Sequence, residues 1–160
     1  SERRLGSCDA KLLAPELVMG SLTSCNVLKT DIDIAAAKLL VEAVKDKVIS
    51  LCGIKPEQTV ADFTPQNNGW HRLQPPDAVL LASDLAKPDV IPSITSLSLG
   101  DSSLGDDGVE ALSVGLKECK SLAKLDLSNY YGGVKFGPRG ATALASAITA
   151  IPSVTQVLAF

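Results

Sequence analysis

The single histidine of the chain, His71, stands between Trp70 and Arg72 in the segment Asn67-Asn68-Gly69-Trp70-His71-Arg72. An imidazole titrates near neutral pH and can carry a proton in either direction, so this is the first place to look for catalysis. Such work needs a nucleophile or a paired carboxylate beside it, and no Cys, Ser or carboxylate pattern of that kind flanks His71. It reads as a surface or packing residue. The cysteines, Cys8, Cys25, Cys52 and Cys119, offer thiolate chemistry or metal ligation, but no two have the Cys-x-x-Cys spacing of a zinc or thiol-redox site. Each falls inside an apolar pattern, where a thiol behaves as a small buried hydrophobe. An even count permits two disulfides, yet a chain of this length does not need them, so free, buried thiols and a reducing compartment are expected. Asp106-Asp107, with Asp101 nearby, lacks the spacing of a calcium loop, and helix N-termini favour carboxylates in any case. Asp107 stands three residues before Glu110, which predicts a capping box. Gly132-Gly133 and Gly137-Pro138-Arg139-Gly140 lack the strand, Gly-rich turn and Lys that cradle a phosphate, and read as turns. No catalytic residue, cofactor or metal site is expected, and the chain reads as a non-enzyme.

Composition narrows the class further. One hundred and sixty residues suffice for one domain with its own core and hardly for two. Hydrophobic residues make up 46% and charged ones 21%, the proportions of a globular chain rather than a disordered one. A net charge of -3 and a pI near 5.1 leave no basic surplus for neutralising phosphates, so nucleic acid is not an expected partner. The start, Ser1-Glu2-Arg3-Arg4, has no apolar stretch of the sort a signal peptide needs, and the chain reads as processed or excerpted. The uncharged run from Ala141 to Phe160 is long enough to cross a bilayer, but it is rich in Ala, Ser and Thr, and the repeat described next explains it better.

That repeat is the main organising feature. Ile94-x-x-Leu97-x-Leu99-x-x-Ser102-x-Leu104 is followed, after a Gly-Asp-Asp turn, by Gly108-x-x-Ala111-Leu112-x-x-Gly115-Leu116. The frame returns 28 positions later as Leu122-x-x-Leu125-x-Leu127, crosses an extended segment from Tyr130, and resumes at Gly140-x-x-Ala143-Leu144-x-x-Ala147-Ile148. Upstream it fits Leu22-x-x-Cys25-x-Val27-x-x-Thr30 and then Ala36-x-x-Leu39-Leu40-x-x-Ala43-Val44. Between these, Val48-x-x-Leu51 and Ala61-x-Phe63 read as strand starts, followed by Asp77-x-x-Leu80-Leu81-x-x-Asp84-Leu85. Within each unit the period changes from two to about 3.6, so a short strand precedes an amphipathic helix. Pro76 and Pro138 suit first-turn positions, where a missing N–H costs nothing. Such a unit cannot bury its apolar face alone, and its neighbours must stack on it.

The pattern resembles the ribonuclease-inhibitor type of leucine-rich repeat, over about Asp9 to Phe160. The resemblance implies one α/β solenoid, a horseshoe arc with parallel strands on the concave side and helices on the convex side. Its expected units are a half repeat at about 5-20, repeats at about 21-47, 48-92 (irregular), 93-120 and 121-152, and a half repeat at 153-160. Where the family has Asn or Cys as the strand turns outward, this chain has Thr30, Gln66, Ser102 and Tyr130 nearest. The resemblance also implies an intracellular, cytoplasmic scaffold that binds another protein, an organelle being the less expected setting. The rival class is an enzyme regulator. The GTPase-activating protein for Ran resembles this fold, and Arg72 is then a candidate arginine finger, Arg139 a poorer one because it follows Pro138 in a helix's first turn.

Two surfaces could meet a partner. In Leu-x-x-Leu-x-Leu the leucines point inward, so Ser24, Asn26, Ser50, Cys52, Asp62, Ser96, Ser98, Lys124, Asp126, Gln156 and Leu158 are expected on the concave face. The face is small and polar, and an ordinary solvated sheet fits it as well as a binding site. The insertions hold four of the six aromatic residues: Trp70 in the first, Tyr130, Tyr131 and Phe136 in the second. Trp70, His71, Arg72, Tyr130 and Tyr131 either form an aromatic-basic contact patch or fold back over the repeat edge as a lid. Val154, Val157, Leu158 and Phe160 close the chain on an open strand edge, which predicts a cover, whether a longer parent chain, a homo-oligomer or a larger complex.

Overall fold

Leu97, Leu99, Leu125 and Leu127 are all buried, and their spacing sets the geometry of the molecule. In a computed structural model that describes residues 6–65, 72–87, 93–129 and 136–159, each strand is short and each helix carries one apolar stripe. The elements in chain order are α1 (Ser7–Met19), α2 (Ile34–Ala43), β1 (Val60–Asp62), α3 (Pro75–Leu85), β2 (Ser96–Ser98), α4 (Gly105–Leu116), β3 (Lys124–Asp126), α5 (Pro138–Thr149) and β4 (Gln156–Leu158). The strands form one parallel sheet in the order β1-β2-β3-β4. Parallel crossovers are right-handed, so a sheet that always steps in the same direction keeps α3, α4 and α5 on one face.

Registration is unbroken across the sheet. Ala61, Leu97, Leu125 and Val157 form one row, and the first three are completely buried. On one flank run Val60, Ser96, Lys124 and Gln156, on the other Asp62, Ser98, Asp126 and Leu158. A period of two therefore sends the central row under the helices and the flanking rows outward.

Two strand-to-helix turns use the same chemistry. The hydroxyl of Thr30 donates to the carbonyl of Val27 at 2.7 Å, and that of Ser102 donates to the carbonyl of Leu99. The residue before each, Lys29 and Asp101, has a left-handed backbone, with φ of 60° and 54°. Without a side-chain bond closing the turn, two non-glycine residues in this region would be costly. Helix packing is equally specific. A Cβ at Gly115 would stand 2.3 Å from the carbonyl oxygen of Ala82, so α4 lies directly on the backbone of α3. Pro75 opens α3 and Pro138 opens α5, as first-turn positions allow.

Several expectations are corrected. Ser50 and Cys52 are buried rather than presented on the sheet face. Their segment meets Ser24 and Asn26 through isolated bridges, then runs to β1 without a helix between, and Asp84 of α3 occupies the space beside it. Asp107 and Glu110 make no capping box, because α4 starts after Leu104 without a side-chain cap. Both instead bind Arg139 of the next helix. Cys8 is exposed on α1, not buried, while Cys25 is half-buried, Cys52 and Cys119 are buried, and all are free thiols. The uncharged run after Ala141 divides into the rest of α5, a turn and β4. Among the described residues, no helix is long and apolar enough to cross a membrane.

Candidate protein-binding face

The outward rows of the sheet hold seven of the residues expected on the strand face, and two of them, Asp62 and Asp126, close turns, as does Asn26 at an isolated bridge. The side-chain oxygen of Asn26 accepts the backbone N–H of Leu28 at 3.0 Å, that of Asp62 accepts Thr64 at 2.9 Å, and that of Asp126 accepts Ser128 at 2.8 Å. Each is an Asx-turn at the C-terminal end of a strand, the local bond that Asn and Asp make most readily. One oxygen of each side chain is thereby committed to the fold. Asp62, Ser98 and Asp126 are brought into one cross-strand row, while Lys124 lies in the other row beside Ser96 and Gln156. Ser98, Lys124 and Asp126 are half-exposed and Asp62 is exposed. The surface alternates carboxylate, hydroxyl and ammonium over three adjacent strands. It can donate and accept hydrogen bonds and pair with either sign of charge.

Trp70, His71, Tyr130, Tyr131 and Phe160 lie outside the described residues. Arg72 is half-buried. Phe136, from the second insertion, packs its ring against the core. Arg139 is tied across α4 and α5 by Asp107 and Glu110, with Nε 2.8 Å from Glu110. No group of three or more His, Cys, Asp or Glu among the described residues is arranged to hold a metal ion. The buried thiols Cys52 and Cys119 are unsuited to nucleophilic work. Burial pushes Cys119 up to about 11, and burial, reinforced by the neighbouring carboxylate of Asp84, pushes Cys52 well above its ordinary value.

Two polar residues of the α3 repeat motif are deeply placed as well. Asp77 and Asp84 on α3 are buried carboxylates. Asp77 accepts the backbone N–H of Lys29 at 2.8 Å and of Gln74 at 2.7 Å, which ties the first turn to the start of α3. Asp84, with 0% of its surface exposed, accepts the Ser50 hydroxyl at 2.8 Å and the N–H groups of Leu51 and Cys52 at 3.0 and 2.9 Å. Burial raises the pKa of both, and these hydrogen bonds oppose the rise. Their signal was present in the sequence: both stand in the apolar stripe of α3 with Leu80, Leu81 and Leu85, where a carboxylate has to find donors. Asp106 does the same between α4 and α5, accepting the N–H of Gly137 at 2.6 Å and of Gly140 at 2.9 Å.

No protein-family model matches the chain, and no curated protein matches it significantly. The functional reading therefore rests on the geometry.

Proposed function

We propose that the chain is a leucine-rich-repeat solenoid of the ribonuclease-inhibitor type, acting as a non-catalytic protein-binding scaffold in an intracellular setting. Its partner lies across the outward strand rows and the edge that carries the insertions, and the β4 edge joins a further unit, a second copy or a larger assembly. One observation carries this reading: the strand-helix unit recurs in register, so that Val60, Ser96, Lys124 and Gln156, and likewise Asp62, Ser98, Asp126 and Leu158, line up across four strands. A surface made by repeating one unit is extended, which suits a protein partner better than a small molecule that needs an enclosing pocket. Its mixed polar character matches the rim of a non-obligate interface.

The test is a comparative capture from the native extract with the wild-type chain and with Ser98→Arg. The variant puts a long charged side chain at the centre of the rows while leaving Leu97 and Leu99 untouched. A partner retained by the wild type and lost by Ser98→Arg is the expected result. Equal retention by both would exclude the strand face.

A further inference from the structure

The outer side of the helical layer carries a second surface with a chemistry of its own. α2 and α3 pack less closely than α3 and α4, where Gly115 lets the backbones touch. A groove opens over α3, lined by Val41 of α2, Val79 and Ala82 of α3, and Ala111 and Val114 of α4. Val114 is 68% exposed, although α4 is otherwise well covered on its apolar side. Exposed apolar surface gathered in a groove, rather than scattered, marks a contact site.

Charge identifies the occupant. The chain carries a net charge of -3, yet the charged residues lining this groove are Lys38, Lys45 and Lys87. Lys38 stands on α2, as does Val41, and Lys45 lies in the turn just past the end of that helix. Lys87 is held at the same end as Lys45, its ammonium donating to the carbonyl of Val44 at 2.6 Å. Lys45 pairs with Glu42, but both are largely exposed, and an ion pair in water gives way readily to a better-placed carboxylate. Helical walls have their backbone groups already bonded, so an extended peptide laid along them would bury N–H groups without partners; a helix brings its own hydrogen bonds satisfied.

We infer that the groove between α2, α3 and α4 binds an amphipathic helix of a partner protein, with apolar residues facing Val41, Val79 and Val114 and Asp or Glu along the flank that faces Lys38, Lys45 and Lys87. This site lies on the helical layer, away from the strand rows of the proposed scaffold function, and the two stand or fall separately. An anionic lipid surface is the lesser fit, because the three lysines rim a concavity in an acidic protein instead of forming a convex basic face.

The probe is a fluorescently labelled synthetic helix of about 14 residues, with Leu at helical spacing and Glu along one flank, read by anisotropy; the control has Lys in place of Glu. The acidic helix is expected to bind about tenfold or more tighter than the basic one, with affinity falling as salt is raised. Val114→Asp should weaken it by about tenfold, and Lys38→Glu with Lys45→Glu by a similar factor. These side chains are exposed at the groove, so unchanged thermal melting verifies that the fold is retained. Lys124→Glu, on the sheet, should leave the affinity as it is. Equal binding of the two peptides, or wild-type affinity in Val114→Asp, would overturn the inference. So would binding to phosphatidylserine vesicles, lost in the double lysine variant, with no binding of the acidic helix.

Discussion

From β2 to β4 the chain repeats one solution, while between Ser24 and Asp62 it uses another. In the later part β2 and β3 are each followed by a helix, Leu97 and Leu125 stand in register, and adjoining helices meet at Gly115 and through Asp106. In the earlier part, the segment around Ser50 passes to β1 without a helix, and the pairing shrinks to isolated bridges. What holds that region is Asp84 and Asp77, which reach from α3 into the backbone of its two chain segments. Where the repeat is regular, apolar rows and close helix contacts supply the cohesion. Where a helix is missing, backbone N–H groups lose their neighbours, and buried carboxylates supply acceptors in their place.

That contrast can be tested by substitution. The largest effect is expected from Gly115→Val, which forces side-chain atoms into the backbone of α3; it should cost about 4 kcal/mol or prevent folding, measured by urea denaturation. Asp84→Ala should cost about 3 kcal/mol, because it leaves the donors of Ser50, Leu51 and Cys52 buried without an acceptor. Asp106→Ala removes a cap shared by only two N–H groups of α5 and should cost about 1 kcal/mol. If Asp106→Ala proves more damaging than Asp84→Ala, the irregular region does not depend on its carboxylates and the comparison fails.

A pH series sharpens the same point with a smaller effect. Burial raises Asp77 and Asp84 above their unfolded values, so between the unfolded and folded pKa values the native state holds protons that the unfolded chain has released. Their contribution to stability is therefore fully present below the unfolded value, about 3.9, and is lost as pH rises through the raised folded values. Asp84→Asn should flatten that part of the stability profile measured by denaturation across the acidic range. An unchanged profile would mean that Asp84 does not titrate differently in the two states.

The C-terminal half was the more legible. Leucine spacing located β2, α4, β3 and α5, and Pro138 marked the start of α5. Thr30 and Ser102, read as stand-ins at the outward turn, do bond it. At the outward-facing rows the residues were located but their work was not foreseen. Asn26, Asp62 and Asp126 share one spacing relative to the strand, and that spacing serves a turn as readily as it serves a partner. Asp107 illustrates the limit from another side. Its position before Glu110 suggested a bond within one helix, while Arg139, distant in the chain, competed for both carboxylates and won them.

The sequence by itself determined where the period shifts from strand to helix, and hence which side chains are apolar on which face, because that information is local and recurs every few residues. Only the tertiary structure decided that Ser50 and Cys52 are buried, that Asp77 and Asp84 are stitches rather than surface charges, and that a lysine-rimmed groove opens between α2 and α3. Those outcomes depend on which helix lies against which segment. A carboxylate's role is set by the donors that folding brings to it, and these come from residues dozens of positions away.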